Sequence, residues 1–468
     1  MRLARWLIPV VLVGVSGPTP PTQLDVPRPT LETAAPIRVH DGTARFRVPP
    51  IADGPLVLVV STLGTTRDTY PVSLRISKTS RRAPLAPNSP LLTIQRYRRN
   101  PKPTATHNSL VVPVASTTTL LVGRPRTFDV PLLNGRPVAG GGSSRVLAHP
   151  IATGSRSIVY LDEATQPQSR MRQLASAIVH LLETTIMPSG DRLIGPPADI
   201  DHDGRLTVLL TPRLAHLQNG KTTVGGFVRA ADFRPGFSRP RSNQADMIYL
   251  NTHLRVNDDL VDVLSHEYRH VLAFSHRDAL GRETEEDWLN EALAHLAEPG
   301  NTNISHRVAA YLNRPSQFPL VVPDYYRAGL WRCDGVRGSS FLFLEWCRQQ
   351  HGEQLVSRLL ASPKTGTPNL VSATRTPFPQ LFRQWAVSLL YGHDNAISNW
   401  SPAACRWDGT RPLTIQVATT ATTYVMPDNI PAGDVILVEA PGDSRLQVTA
   451  AITRPTGSPL RRNISVVP

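Results

Sequence analysis

The chain is 468 residues long, with 40% hydrophobic and only 18% charged residues. That is enough apolar material for two or three packed domains, and it excludes wholesale disorder. Its 44 prolines, about 9% of the chain and near twice ordinary usage, argue against a mainly helical protein. The formal charge of +14 is carried almost wholly by arginine, because Lys78, Lys102, Lys221 and Lys364 are the only lysines. The arginines are scattered and lack the aromatic-basic motifs of nucleic-acid binders, so contact with an anionic surface is expected rather than a nucleic-acid partner.

Taken in chain order, residues 1–17 read as a signal peptide: Arg2 and Arg5, an apolar run from Trp6 to Val15, then small residues. No later segment reaches 18 apolar residues, so a secreted protein without a transmembrane segment is expected. Residues 18–35 form a Pro/Thr-rich linker. From 36 to 135 the pattern alternates, as in Ala44-Phe46-Val48 and Val72-Leu74-Ile76, and predicts an N-terminal β-sandwich. The basic, proline-broken stretch 80–103 within it reads as a solvated or lipid-facing loop. Residues 140–400 have a mixed texture. Strands are predicted at 157–161, 206–210 and 247–250, a helix around Met171, Leu174, Ile178 and Leu181, and longer helices near 258–275, 285–298 and 339–360. Alternation returns over 401–468, which predicts a C-terminal β domain. The three cysteines, Cys333, Cys347 and Cys405, allow at most one disulfide, from Cys333 or Cys347 to Cys405, and no CxxC motif occurs.

Six of the twelve glutamates lie between 267 and 298, and this segment contains His266-Glu267-Tyr268-Arg269-His270, an HExxH. On a helix, positions i and i+4 share a face, so both imidazoles can reach one metal ion. The helix is credible: Asn257 or Asp258 can cap it, and Leu260, Val263, Leu264, Val271 and Leu272 supply an apolar stripe. Glu267 can take a proton from a metal-bound water and later give it to a leaving amine. Zinc suits two neutral imidazoles and one carboxylate, with a fourth position for water.

Two residues compete as third ligand. His276 completes HEYRHVLAFSH, the spacing of metzincins, but Ala273 stands where that motif needs a glycine to turn the chain, and no methionine follows before Met426. Glu291 is preferred. It lies in WLNEALAH on a second predicted helix, opened by Thr284 with Asp287 three residues later as a capping box. Twenty residues after His270 leave room for a turn and an antiparallel return.

HEYRH followed by WLNEALAHLAE resembles the gluzincin zinc peptidases, and most of all the hyicolysin-type neutral metalloproteases. The resemblance extends over about 145–395 and is strong from 245 to 300. It implies a multidomain chain in which an α+β zincin-like catalytic domain is flanked by all-β sandwich domains. It also implies a zinc endopeptidase acting on protein or peptide substrates, with His266, His270 and Glu291 as ligands, Glu267 as general base, and Glu298 orienting a ligand histidine. Gluzincins usually hold the oxyanion with a Tyr or His. Here Tyr325, Tyr326 and Arg337 are all candidates, and His295 is expected behind the metal or in solvent.

A second signal is Asp199-Ile200-Asp201-His202-Asp203-Gly204, the start of a calcium-loop pattern, although Leu210 occupies its twelfth position. Asp199, Asp201 and Asp203 are therefore candidates for a structural calcium, against an ordinary turn. The rival function from another class is a secreted adhesion or binding protein whose zincin-like domain is inactive.

Overall fold

The computed structural model describes residues 34–49, 55–77, 123–131, 143–214, 224–300, 302–391 and 401–452. The expected signal peptide, almost all of the linker and the basic stretch 80–103 lie outside them. The N-terminal part supplies β1 (Ala34–Ile37), β2 (Val39–His40), β3 (Thr43–Arg47), β4 (Leu56–Thr62) and β5 (Thr69–Ser77). Next come β6 (Arg126–Pro131), β7 (Ser143–Thr153), β8 (Ser157–Asp162), α1 (Ser169–Leu181), α2 (Met187–Ile194), β9 (Leu206–Thr211) and β10 (Gly226–Phe227). They are followed by α3 (Ala230–Phe233), β11 (Met247–Asn251), α4 (Asp258–Arg277), α5 (Asp287–His295), α6 (Thr302–Asn313) and α7 (Asp334–His351). The helices end with α8 (Gln354–Ala361), α9 (Gly366–Thr374) and α10 (Phe378–Ser388). The C-terminal strands are β12 (Ala404–Trp407), β13 (Leu413–Ala418), β14 (Ala421–Pro427), β15 (Val435–Glu439) and β16 (Gln447–Ile452).

The two β regions expected on either side of the central segment are not separate. One five-stranded sheet runs β1-β16-β4-β14-β12 and the other β13-β5-β15-β3-β2. Both therefore interleave strands from the two ends of the chain. The reason lies in the pairing: β4 has β16 and β14 as neighbours, and β5 has β13 and β15, all C-terminal. Neither half could cover its own strand edges. The sequence of β4, LVLVVST, is buried at every position because it serves two cores. Leu56, Leu58 and Val60 face the sandwich interior, while Val57 and Val59 join the core of the later helices. This period-2 division turns a continuous apolar run into a central strand covered on both faces.

The range expected for the N-terminal sandwich also includes β6, which instead pairs with β7 in a third sheet. That six-stranded sheet runs β10-β11-β9-β8-β7-β6, with β8, β9 and β11 parallel. Val159, Leu161, Val208, Leu210, Ile248 and Leu250 on one face pack against α1 and α4. Helix α1 answers with Met171, Leu174, Ala175, Ile178 and Leu181, the i, i+3, i+4, i+7 stripe of an amphipathic helix. A further core around Trp288, Phe343, Phe382 and Trp385 joins α5, α6, α7 and α10 to the sandwich. The helix expected over 339–360 is two helices, broken at Gly352, whose φ of 81° only glycine adopts at low cost. All three cysteines are free thiols, so the one disulfide that the sequence allows is not formed. Among the described residues no helix is long and apolar enough to cross a membrane.

Candidate metal centre

Helix α4 runs 20 residues without glycine or proline and presents its apolar side, including Leu260, Leu264, Tyr268, Val271 and Leu272, to the six-stranded sheet. Asp258 and Asp259 in the first turn and His276 and Arg277 in the last complement the helix dipole. The expected cap is not made: the Asn257 side chain donates to Asp259 Oδ2 at 3.0 Å instead of accepting from the helix. The expected capping box on α5 is absent as well. Thr284 donates to Asp278 Oδ1 at 2.9 Å, and the Asp287 carboxylate accepts from the backbone N–H of Tyr325 at 2.8 Å.

The turn from α4 to α5 is instead held by a buried ion pair that the sequence reading missed. Arg277 and Glu285 are each 2% exposed, with Nη1 3.1 Å from Oε2. Arg277 also donates to the carbonyls of Glu283 and Lys364, and Glu285 accepts from Gly366 N and from Asn369 Nδ2 at 2.7 Å. Every polar branch of this pair thus points at a partner, and it fixes the return of α5 across α4. Glu285 and Arg277 carried no motif, and the acid-rich stretch 283–286 looked like part of the metal segment.

That return brings Glu291 to the HExxH face. His266 Nε2 lies 3.2 Å from His270 Nε2, Glu291 Oε2 is 3.5 Å from His266 Nε2, and Glu291 Oε1 is 3.9 Å from His270 Nε2. A tetrahedral centre with arms of about 2.0–2.1 Å has ligand–ligand edges of about 3.3–3.4 Å, near the two shorter of these distances, so the three side chains can converge on one zinc-sized ion. Two imidazoles and a carboxylate are also a donor set that zinc favours, and Glu291 Oε2 is buried without a hydrogen-bond partner. His276 is not in this group. Because Ala273 lets the helix continue, six further residues carry His276 about 9 Å along the axis beyond His270.

Behind the cluster, the Glu298 carboxylate faces His266 Nδ1 at 2.8 Å and His295 Nδ1 at 2.6 Å. Arg307 Nη1 donates to His295 Nε2 at 2.7 Å, which leaves the His295 proton on Nδ1, directed at Glu298. One carboxylate therefore collects two ring N–H groups, and His266 turns its Nε2 toward His270 and Glu291. His295 occupies this layer behind His266 and not solvent; it is 1% exposed.

The charges follow from burial and neighbours. Burial alone would lower His266, but the Glu291 and Glu298 carboxylates outweigh it and push its pKa up to about 10. Burial and the adjacent His266 cation drop His270 to about 3. Burial would raise Glu291, yet Arg337 and the histidines hold it well below the usual carboxylate range. Burial raises Glu267 to about 7, a value suited to taking and returning a proton near neutral pH. Its Oε2 is buried without a partner. Gly226 on β10 passes so close that a Cβ there would lie 3.1 Å from Glu267 Cγ and 2.8 Å from Leu250 Cδ2. The sequence reading did not single out this glycine, although the Gly225-Gly226 pair marks a close approach.

The calcium-loop signal resolves differently from its motif. Asp199 and Asp201 converge with Asp246, not with Asp203. Asp203 accepts from Arg205 N, Asp199 from Asp203 N and Gly204 N, and Asp201 is ion-paired with Arg126. Burial and the neighbouring Asp201 push Asp246 up to about 8.

No family model matches the chain. It is similar to the neutral metalloprotease ShpI of Staphylococcus hyicus, at 25% identity over 211 residues. The match takes in 41% of this chain and 46% of that protein, so the chain spans about half the length of the relative. The likeness is to a metalloprotease.

Proposed function

We propose that the protein is an exported zinc-dependent endopeptidase. The observation that carries this reading is the convergence of His266, His270 and Glu291 at tetrahedral spacing beside a buried, unpartnered Glu267 carboxylate oxygen. His266, His270 and Glu291 would hold the ion, with Glu298 fixing the ring of His266 from behind. Bound zinc would supply Lewis acidity, acidifying a water and polarising the scissile carbonyl. Glu267 takes the proton of the attacking water and returns it to the nitrogen of the leaving amine.

A peptide substrate is supported by β10, the outer strand of its sheet, which runs antiparallel to β11 beside Glu267. An extended peptide can add to such an edge through its backbone. The basic and apolar run 1–17 supports export. The test is metal content of the purified chain together with casein digestion, with and without a chelator. One zinc per chain and chelator-sensitive digestion are expected. Bound zinc without digestion would favour an inactive binding protein, and a metal-free, inactive chain would remove the peptidase reading altogether.

A further inference from the structure

Arg337 is the fourth residue of α7, in Asp334-Gly335-Val336-Arg337-Gly338. The flanking glycines let the helix seat deeply. A Cβ at Gly338 would collide with the backbone carbonyl of Arg307 on α6, and one at Gly335 would press into the ring of Phe318. Arg337 is carried in this way from α7 to the metal cluster, where its Nη1 lies 3.0 Å from Glu291 Oε2. That contact is one of charge alone, since no N–H is aligned on Oε2. Arg337 Nε is also buried without an acceptor. Buried donors left unpaired are costly and rare, and where they occur in a cleft they mark a group that meets its partner only in a complex.

We propose that Arg337 is the donor that stabilises the negative charge developing on the scissile carbonyl oxygen, the role usually given to a Tyr or His at such sites. This rests on the peptidase reading. When water adds to the carbonyl carbon and its proton passes to Glu267, the C=O π electrons move onto oxygen, which becomes the site of new charge. Arg337 meets that charge by hydrogen bonding and gives up no proton. The carbonyl then re-forms, the C–N bond breaks, and the Glu267 proton goes to the amine nitrogen.

The two tyrosines fit less well. Tyr326 is 42% exposed and stacked on Trp331, and Tyr325, whose Oη is likewise buried without a partner, is 2% exposed and packed into the helical core, with no contact to Glu291 like that of Arg337. Arg337, by contrast, brings its charge to 3.0 Å from Glu291 Oε2, at the metal cluster itself. A guanidinium also remains protonated across the working pH range.

The experiment compares Arg337→Met and Arg337→Lys with the wild type. It reads zinc per chain, kcat and KM on one peptide, and the affinities of two inhibitors: a phosphonamidate peptide, which presents a tetrahedral oxyanion, and a thiol peptide, which ligates metal without one. For Arg337→Met the expected result is full zinc content, a kcat about 10²–10³-fold lower and phosphonamidate binding weakened by about a hundredfold. KM and thiol affinity should stay within about threefold, and lysine should recover part of the loss. A kcat within about threefold of wild type would overturn the assignment, as would equal weakening of both inhibitors or loss of zinc together with activity. If Arg337→Met does not fold, Arg337→Lys alone decides: unequal weakening of the two inhibitors supports the role and equal weakening ends it. A wild type without zinc or activity sinks the peptidase reading itself, whereas an active wild type with an indifferent Arg337→Met sinks this inference only.

Discussion

Two buried groups of charges lie at opposite ends of α4's second half, and they are built on opposite rules. At the helix end, Arg277 and Glu285 are sealed from water, and their polar atoms are matched by Glu283, Lys364, Gly366 and Asn369. Two turns earlier, Glu267 and His270 are buried and His266 and Glu291 half-buried, yet carboxylate oxygens of Glu267 and Glu291 have no hydrogen-bond partner. Burial of charge is common to both, and completeness of pairing separates them. A satisfied network holds α5 in place, while an unsatisfied one has capacity left for an ion and a substrate.

The comparison breaks if the two groups respond alike to substitution. Glu267→Gln should lower kcat by about 10²–10⁴-fold while bound zinc is maintained and the thermal midpoint is unchanged or higher, because a buried carboxylate oxygen without a partner costs the fold stability. Comparable turnover in that variant would remove Glu267 from the chemistry. Arg277→Leu should do the reverse. It leaves Glu285 charged and unpaired at a cost of about 3–5 kcal/mol, seen as a lower denaturant midpoint, with one zinc still bound by the folded fraction. Removing both partners, as Arg277→Leu with Glu285→Leu, should restore much of that loss.

Glu298 stands between the two cases, since its Oε1 meets His266 and His295 while its Oε2 is buried without a hydrogen-bond partner. Glu298→Gln should weaken zinc affinity by about 10–100-fold, measured by competition with a chromogenic chelator, and should change stability little. The smallest effect concerns Asp246, whose raised pKa makes the folded state bind a proton that the unfolded state releases. Its stabilising contribution is complete below about pH 4 and is lost as pH rises through about 8. Asp246→Asn should flatten the fall in stability across that window, so that the variant's thermal midpoint drops less than the wild type's between about pH 4 and pH 8.5. An unchanged slope would show that another group sets it.

What could be read from the sequence was local or periodic. HExxH fixes its own geometry once it is helical, and the apolar stripe of α4 made the helix legible. The twenty residues from His270 to Glu291 indicated a return helix without showing what holds the return, because Arg277 and Glu285 look like ordinary surface charges until burial is known. The caps read at Asn257 and at Thr284 failed because nearby carboxylates in the chain, Asp259 and Asp278, claimed the same side chains. Asp246 lies 43 residues after Asp203 and carries no motif, so the loop pattern named the wrong third aspartate. The joining of the two β regions had no local signature at all. Alternation predicts that β4 and β16 are strands, but their partnership across nearly 400 residues depends on which edges remain uncovered.

That partnership bears on the order in which the chain can fold. Strand β4 leaves the ribosome some 360 residues before β14, which covers one of its edges. At about 5–20 residues per second, the interval is on the order of tens of seconds. Throughout it, LVLVVST is an apolar strand with both edges open, the kind of segment that pairs with other chains. The sandwich closes only after the segment bearing His266, His270 and Glu291 has been synthesised. Cotranslational capture of the first strands by a chaperone, or export before compaction, would therefore protect the molecule at its most vulnerable stage, and truncation anywhere before β14 should yield aggregates in place of a smaller working enzyme.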